Sequence, residues 1–215
     1  FENKKAENIY KKGNVQAEGF FVSEDKEYLI CLVDGYVFKF TETSLDSYQV
    51  TIINQDDRNR KTRCYGWVIP IPNGCIVNNG FDLPLIVTKN ESRRSNPKKG
   101  EIGIGQMGVY VQNRLFYVDQ GGKQILASDF LQPTKFTLED TNIFGFMCPD
   151  NDESITAIGK QKSIIGTVEG GNLIWSSTKD IYSVDIRGTR SDWANQGSRV
   201  GKTTETIPGL SAASS

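Results

Sequence analysis

Histidine is absent from the 215-residue sequence, and its absence excludes several kinds of chemistry. A Ser-His-Asp triad, a Cys-His pair and the HExxH zinc motif all require an imidazole, as do histidine proton shuttles. The sequence also contains no other recognisable nucleophile motif. We therefore predict a protein that is not an enzyme, with no catalytic residues, no metal ligands and no cofactor.

Cysteine is scarce, with four residues at Cys31, Cys64, Cys75 and Cys148. None of them forms a CxxC pair, which argues against a structural zinc site. Cys31 and Cys148 lie in apolar runs, where cysteine usually acts as a small buried hydrophobic side chain. We expect free thiols and a reducing compartment.

Long apolar runs and an excess of either charge are also missing. No run approaches the roughly 20 apolar residues of a membrane-spanning helix, and no leader pattern follows Phe1. The net charge of -1 gives no general attraction to nucleic acid or to an anionic membrane. We expect no membrane partner. Because the sequence starts at Phe1 and Pro208–Ser215 ends without a closing element, we also expect a fragment of a longer protein.

Glycine and aromatic residues are abundant and indicate an all-β fold. The chain has 21 Gly, 11 Phe and 8 Tyr, and short β-branched or aromatic runs alternate with turn residues. Strands at such spacing are typical of a sandwich, a barrel or a propeller. We predict a polar segment at 1–18 with one or two helical turns over Ala6–Lys12, a β domain at 19–190, and a loop-rich C-terminal segment at 191–215.

The strongest hairpin signal is Asp34-Gly35, which separates the predicted strands Tyr28–Val33 and Tyr36–Phe40. Both central residues of a type I′ turn need positive φ, which Asp-Gly tolerates. The alternation in the second strand predicts its three aromatic side chains on one face. The other predicted strands are Phe20–Val22, Tyr48–Ile53, Tyr65–Pro72, Cys75–Val77, Leu85–Val87, Gly108–Gln112, Leu115–Val118, Gln124–Ala127, Ile155–Ile158, Ser163–Val168, Asn172–Ser176 and Asp180–Val184. Their turns are predicted at Asn73-Gly74, Asn79-Gly80, Asn113-Arg114, Gly121-Gly122 and Gly170-Gly171.

Four segments resemble one another as hairpin arms, which indicates a degenerate repeat. They are Val33–Phe38, Val77–Phe81, Val111–Val118 and Ser177–Val184. Their spacing is irregular, whereas propeller blades repeat every 40–50 residues or so. About four blades' worth of strands is present, so we predict an all-β fold of short antiparallel strands, either a β-propeller or part of one.

Three stretches carry a resemblance to a known family. Met107–Val118 followed by Ile125–Phe130 gives two strands joined by Asn-Arg-Leu, then Ala-Ser-Asp before a proline. Ile174–Val184 and the segment from Gly19 to Phe38 repeat the strand-turn-strand theme. This pattern resembles the β-propeller part of tail nozzle proteins of tailed bacteriophages, which are also called tail tubular or tail stabilisation proteins.

The resemblance implies a structural role. Members of that family form a hexameric tube below the portal and adaptor, and DNA leaves the particle through it. For this chain the resemblance implies copies of itself in a ring and other tail proteins as partners, with transient contact to passing DNA. It also implies a place in the virion tail after assembly in the bacterial cytoplasm.

Two alternatives remain open from the residues alone. The first is a glycan-recognising propeller, such as a receptor-binding or lectin-like module, which exposed aromatics near carboxylates would favour. The second is a glycoside hydrolase, because paired carboxylates can cleave glycosidic bonds without histidine. Strand-end carboxylates at Asp34, Asp82, Asp119 and Asp129 are the candidates, although acids are common in turns.

Two segments are candidates for contacts with partners. The first is a predicted basic loop at 88–101, whose cations in 89–99 are Lys89, Arg93, Arg94, Lys98 and Lys99. Such a cluster can be solvated, can contact a neighbouring subunit or can bind the phosphates of DNA. The second contains Arg187, Arg190 and Trp193, and Arg and Trp are frequent at interface hot spots.

The run Gly103–Gly108 matches the GxGxxG pattern of dinucleotide-binding proteins. That motif must follow a strand and open a helix, so that the helix N-terminus faces the pyrophosphate. A basic loop precedes the run here and a strand-like segment follows it. We therefore interpret it as a glycine-rich turn.

Overall fold

A computed structural model describes residues 4–45, 47–62, 66–136, 145–147, 154–160, 172–178, 181–186 and 201–202. Within these ranges the chain forms one α-helix and four antiparallel four-stranded sheets. In each sheet, strands that follow one another in the chain are neighbours. The prediction of an all-β fold of short antiparallel strands is confirmed.

The elements follow the chain in a simple order. Helix α1 spans Lys4–Lys12, and a single 3₁₀ turn spans Pro97–Lys99. The first sheet contains β1 Val15–Ser23, β2 Lys26–Val33, β3 Tyr36–Ser44 and β4 Ser47–Ile52. The second contains β5 Trp67–Ile71, β6 Gly74–Asn78, β7 Leu85–Thr88 and β8 Ser92–Arg94. The third contains β9 Gly105–Val111, β10 Arg114–Asp119, β11 Gln124–Ala127 and β12 Gly145–Met147. The fourth contains β13 Ile155–Lys160, β14 Leu173–Ser177, β15 Ile181–Val184 and β16 Gly201–Lys202.

The chain divides into two compact units. The first contains residues 1–97 and 103–105, and the second contains residues 98–102 and 106–215. The first and second sheets belong to the first unit. Apart from Gly105, the third and fourth sheets belong to the second.

The hairpin between β2 and β3 has the predicted turn. Asp34 and Gly35 both have positive φ, at 49° and 84°, as a type I′ turn requires. A Cβ atom on Gly35 would lie 2.1 Å from the carbonyl oxygen of Asn59. Glycine is therefore needed here both for the backbone conformation and for the close approach of a second chain segment.

Two predicted turns are shifted by one residue. The turn between β9 and β10 lies at Gln112-Asn113, both with positive φ, so Arg114 is the first residue of a strand rather than part of the turn. The turn before β6 lies at Pro72-Asn73, and Gly74 belongs to the strand. A Cβ on Gly74 would meet the carbonyl oxygen of Val87 at 2.3 Å, so close packing explains this glycine.

Three of the four repeat arms lie at equivalent places in their sheets. Val33–Phe38, Val77–Phe81 and Ser177–Val184 lie where the second strand of a sheet passes to the third. Val111–Val118 instead joins the first strand to the second. Val111–Val118 lies one strand earlier in its sheet than the other three arms. Turn residues indicate a hairpin but not which two strands of a sheet the hairpin joins.

Each unit has its own apolar core. In the first unit, Phe21 stacks on Tyr28 with ring centroids 4.9 Å apart, and side chains from both sheets surround them. In the second unit, Trp175 stacks on Tyr182 at 5.4 Å. The first core contains Ala17, Phe21, Tyr28, Ile30, Leu32, Val37, Cys75, Val77, Leu85 and Val87. The second contains Val111, Phe116, Val118, Ile125, Ala127, Ile155, Leu173, Trp175, Tyr182, Val184 and Ile186.

Candidate interaction surfaces

One face of the first sheet points away from the core that this sheet shares with the second. Side chains alternate between faces along a strand, and the pairing of Phe20 with Leu29 and of Leu29 with Phe40 fixes which residues share this face. We call it the outer face. Its residues are Glu18, Phe20, Val22, Glu27, Leu29, Cys31, Val33, Tyr36, Phe38, Phe40, Glu42, Tyr48, Val50 and Ile52.

Helix α1 covers one part of the outer face. Ala6 is buried against it, and Ile9 packs beside Ala6. The ring of Tyr10 lies edge-on to Phe38 and Phe40, at centroid distances of 5.5 Å and 5.2 Å. A helix of nine residues is marginal alone, so these contacts stabilise it. The three aromatics of β3 share this face, which confirms the predicted alternation.

Beside the helix, the outer face continues as an open groove of about 420 Å³. Much of its lining is apolar but exposed, with Phe20 at 54%, Tyr48 at 57% and Leu29 at 39%. Exposed apolar side chains that lie together beside carboxylates make this face a candidate interaction surface. The lining residues, which define what we call the outer groove, are Phe20, Glu27, Leu29, Phe40, Glu42 and Tyr48.

The charge on the outer face has one sign. Its charged members are Glu18, Glu27 and Glu42, and none of its strand residues is basic. Helix α1 carries the opposite charge, with lysines at both ends and a 2.5 Å ion pair between Lys11 and Glu7. The helix and the face on which it packs are therefore complementary in charge as well as in apolar shape.

The two described cysteines lie on opposite faces of this arrangement. Cys75 is buried in the core of the first unit, and burial raises the pKa of its thiol to about 12. Cys31 lies under α1, where burial, followed by the nearby Glu18 carboxylate, raises its pKa to about 11. Both thiols are free and buried, as predicted for Cys31. Cys64 and Cys148 lie outside the described residues.

The predicted basic loop is partly regular structure. Strand β8 pairs with β7 over Ser92–Arg94, and a 3₁₀ turn covers Pro97–Lys99. The loop prediction was wrong here because a strand of three residues with two arginines has no apolar alternation to reveal it. The pairing fixes the backbone of Arg93 and Arg94 at the edge of the second sheet.

Two of the predicted contact residues hold the first unit together. Lys89 forms an ion pair with Glu24, which raises the pKa of the lysine, and its carbonyl accepts a 2.8 Å hydrogen bond from Lys39. Arg94 forms a 2.5 Å ion pair with Asp57 and donates to the Leu83 carbonyl at 2.8 Å. These cations stabilise turns of their own unit.

The other candidate cations are exposed or lie elsewhere. Arg93 in the first unit and Lys98 and Lys99 in the second have exposed side chains. These three are the members of the set that are accessible to a partner. Arg187, Arg190 and Trp193 lie outside the described residues.

Two of the strand-end carboxylates form ion pairs in the first unit. Asp34 contacts Lys61 at 2.8 Å and accepts a hydrogen bond from the Asn14 backbone, and these contacts, the Lys61 bond foremost, lower its pKa. Asp82 lies 3.3 Å from the Arg60 guanidinium and accepts a 2.9 Å hydrogen bond from Asn79.

The other two lie in the second unit. One Asp119 oxygen accepts the backbone N–H groups of Lys123 and Gln124, each at 2.9 Å, and so organises a turn. The backbone of Asp129 forms an isolated antiparallel β-bridge with that of Gln132. Among the residues that the structure describes, no group of three or more Cys, Asp or Glu side chains could hold a metal ion. Strand β9 begins at Gly105, inside the run Gly103–Gly108, and strand β10 rather than a helix follows it. The interpretation of the run as a glycine-rich turn was wrong, because four of its six residues pair as strand.

Comparison with known proteins adds no family. No family model matches the chain, and a search of curated proteins found no significant match. In the described part of the chain, no helix has the length and apolar character needed to cross a membrane.

The outer groove was missed by sequence reasoning. Phe20 and Phe21 are adjacent in an apolar run, so composition gives no sign that one is buried and the other exposed. The signal that could have located the groove is the occurrence of Glu18, Glu27 and Glu42 at alternating positions with aromatic and aliphatic residues.

Proposed function

We propose that this chain is a structural wall component of a bacteriophage tail nozzle or tail tube through which DNA is ejected. We further propose that its sheets are blades of a β-propeller or of part of one. The observation that carries the proposal is the succession of four antiparallel four-stranded sheets, each built from neighbouring strands in chain order. A propeller blade is a four-stranded sheet of this kind.

The sequence resemblance supports the same reading. Its main segment, Met107–Phe130, contains most of β9 and all of β10 and β11, and a second segment, Ile174–Val184, contains most of β14 and all of β15. Paired antiparallel strands occupy both segments, β10 with β11 and β14 with β15, and their presence there supports the proposal.

In this proposal the chain works as one of several copies arranged as a ring, and the ring is a hexamer as in the family that the chain resembles. Heterologous contacts related by rotation close such a ring. Exposed Arg93, Lys98 and Lys99 are our candidates for contacts at subunit boundaries or with passing DNA. Other tail proteins would cover the two ends of the ring.

Electron microscopy with labelled antibodies tests the assignment directly. Antibodies raised against the purified chain are applied to intact particles of the phage that encodes it, and the gold label is located. Label at the tail, with an antibody against the capsid as a matched control, is the expected result. Absence of the chain from purified particles, or label only on the capsid, would contradict the proposal.

Glycan recognition is the second candidate function. The observation that favours it is the outer groove, where Phe20, Phe40 and Tyr48 lie beside two carboxylates. Aromatic rings offer apolar faces to a sugar, and carboxylates accept hydrogen bonds from its hydroxyl groups. Binding on a glycan array that is lost in Tyr48→Ala would support this function. The same polysaccharides should remain uncleaved, and cleavage abolished by one Asp or Glu substitution would show an enzyme.

A further inference from the structure

We propose that the outer groove binds a short, basic, amphipathic helix from a different protein. The groove lies on the outer face directly beside α1, and Phe40 belongs both to the groove and to the contact with Tyr10. This proposal goes beyond the tail assignment, since it names the chemistry of a partner and holds for any assembly that contains the chain.

Helix α1 shows what kind of ligand the outer face accepts. It presents Ala6, Ile9 and Tyr10 to the sheet and carries lysines at both of its ends. Two to three helical turns are enough for this contact, since nine residues span about 14 Å at roughly 1.5 Å per residue. A second helix of the same character would extend the cover over the exposed part of the face.

The apolar lining needs a partner with an apolar stripe. Phe20, Leu29 and Tyr48 come from three different strands and remain well exposed in the folded chain. A helix that lays apolar residues at positions i, i+3, i+4 and i+7 into a groove is a recurring recognition mode. Side chains with this spacing would cover the three residues together.

The charge selects a basic partner. Glu27 and Glu42 line the groove and Glu18 lies on the same face, with no basic strand residue beside them. Lysines or arginines that flank the apolar stripe would meet these carboxylates at the polar rim, where complementary charge raises association rates and specificity.

The same charge argues against two other occupants. A second copy of the chain placed on this face symmetrically would bring glutamates against glutamates, which is unfavourable. An anionic membrane surface would be repelled for the same reason. The complementary helix from another protein is the occupant to which both the shape and the charge point.

Fluorescence anisotropy with a designed peptide tests the proposal on the full chain. The probe is a labelled 16-residue peptide of leucine, alanine and lysine, with leucines at i, i+3, i+4 and i+7. One control peptide has the same composition with scattered leucines, and another has glutamate in place of each lysine. Only the first peptide should bind, and its affinity should fall as salt screens the charges.

Chain variants locate the binding. Leu29→Ser and Tyr48→Ser should each weaken binding by at least about tenfold, the change expected of a central interface residue. Leu45→Ser is the matched control, because Leu45 is 87% exposed and lies outside the groove. Glu42→Lys should also weaken binding, whereas Glu91→Lys should not. Melting temperatures of all variants confirm folding, and Glu42→Lys keeps the test decisive if an apolar variant is unstable.

Several results would overturn the proposal. They are equal binding of the three peptides, no binding at millimolar concentration, and affinity unaffected by Leu29→Ser and Glu42→Lys. Binding strengthened by Tyr10→Ala and unaffected by Leu29→Ser would place the peptide in the position of α1. Self-association abolished by Leu29→Ser, or a glycan bound in the groove, would assign the face to a different occupant.

Discussion

Phe20 and Phe21 are consecutive residues of one strand, yet their surroundings are opposite. Phe21 is 1% exposed and stacks on Tyr28 in the core of the first unit, whereas Phe20 is 54% exposed and lines the outer groove. The difference lies only in the face of the sheet on which each side chain falls. Identical side chains therefore contribute differently, one to folding and the other to a surface.

The core face and the outer face of the first sheet differ in charge and in the residues that pack on them. The core face of the first sheet packs against apolar residues of the second sheet, such as Val77 and Val87. The outer face carries three glutamates and, among the residues that the structure describes, is covered in part by α1. We propose the outer face, with its exposed aromatic and acidic residues, as the face of this sheet that partners contact.

Alanine substitutions at Phe20 and Phe21 should show the difference between the two faces most clearly. Phe21→Ala should destabilise the chain by about 3–5 kcal/mol, since it removes a buried ring and leaves a cavity. Phe20→Ala should change stability by no more than about 0.5 kcal/mol, as expected for an exposed site. Urea unfolding followed by tryptophan fluorescence measures both. Equal losses would show that the outer face is covered within the folded chain.

The turn that joins β2 to β3 sets the register of both faces, and its glycine should be the next most sensitive position. Gly35→Val should cost at least about 1 kcal/mol, because a β-branched residue is strained at positive φ. Gly35→Ala should cost more than Gly80→Ala. Both glycines have positive φ, but a Cβ on Gly80 meets nothing closer than 3.8 Å.

Thermal unfolding of the three glycine variants separates strain from crowding. If Gly35→Ala and Gly80→Ala lose equal stability, then the approach of Asn59 adds nothing and the backbone conformation alone explains Gly35. An unchanged melting temperature in Gly35→Val would show that the turn is not of the type I′ class.

Much of this fold could be predicted from the sequence. Asp34-Gly35 located a hairpin correctly because the residues in such a turn need positive φ, and local chemistry therefore determines it. The turn at Gln112-Asn113 was placed one residue late, since Asn113 tolerates either central position. Strand β8 was missed because its residues are polar and its pairing with β7 depends on tertiary structure.

The reactivity of the two described thiols gives a third comparison, between Cys31 under α1 and Cys75 in the core of the first unit. In a Cys64→Ser, Cys148→Ser background, Cys31 and Cys75 should both react slowly with a thiol reagent at pH 8, because their raised pKa values leave little thiolate. Tyr10→Ala removes a hydrogen bond that lowers the pKa of Cys31, but it should also loosen α1 and expose the thiol, which removes the largest cause of the raised pKa. Cys31 should therefore react faster, about tenfold for each unit by which its pKa falls. Mass spectrometry of digested peptides assigns the rates. Equal acceleration of Cys75 would show that α1 supports the whole unit.

The smallest expected effect concerns the ion pair of Asp34 with Lys61. The pKa of Asp34 in the folded chain lies below its ordinary value of 3.8. The ionised carboxylate therefore adds to the free energy of unfolding above pH 3.8, and this stabilisation is lost as the pH falls through the folded pKa. Asp34→Asn should cost about 0.2–1 kcal/mol at pH 7, as for other ion pairs whose lysine is exposed to solvent. The stabilities of the two proteins should converge towards pH 2 in urea titrations. A constant difference from pH 7 to pH 2 would assign the effect to hydrogen bonding at Asn14 instead.

The candidate contact residues show the limit of sequence reasoning. A cluster of cations can be recognised from composition, but whether each one faces solvent depends on acids that are distant in the chain. Lys89 meets Glu24 and Arg94 meets Asp57, partners separated from them by 65 and 37 residues. The cluster therefore divides into cations that hold the fold and cations that a partner can reach.

A reconstruction by cryo-electron microscopy of the assembly that contains this chain would show whether the chain is a wall component of a phage tail. Copies of the chain should form a ring around a central channel at the tail of a phage particle. Contacts between copies should involve segment 89–99 or the segment of Arg187, Arg190 and Trp193. A particle in which the chain touches no copy of itself, with both segments facing solvent, would contradict this assignment.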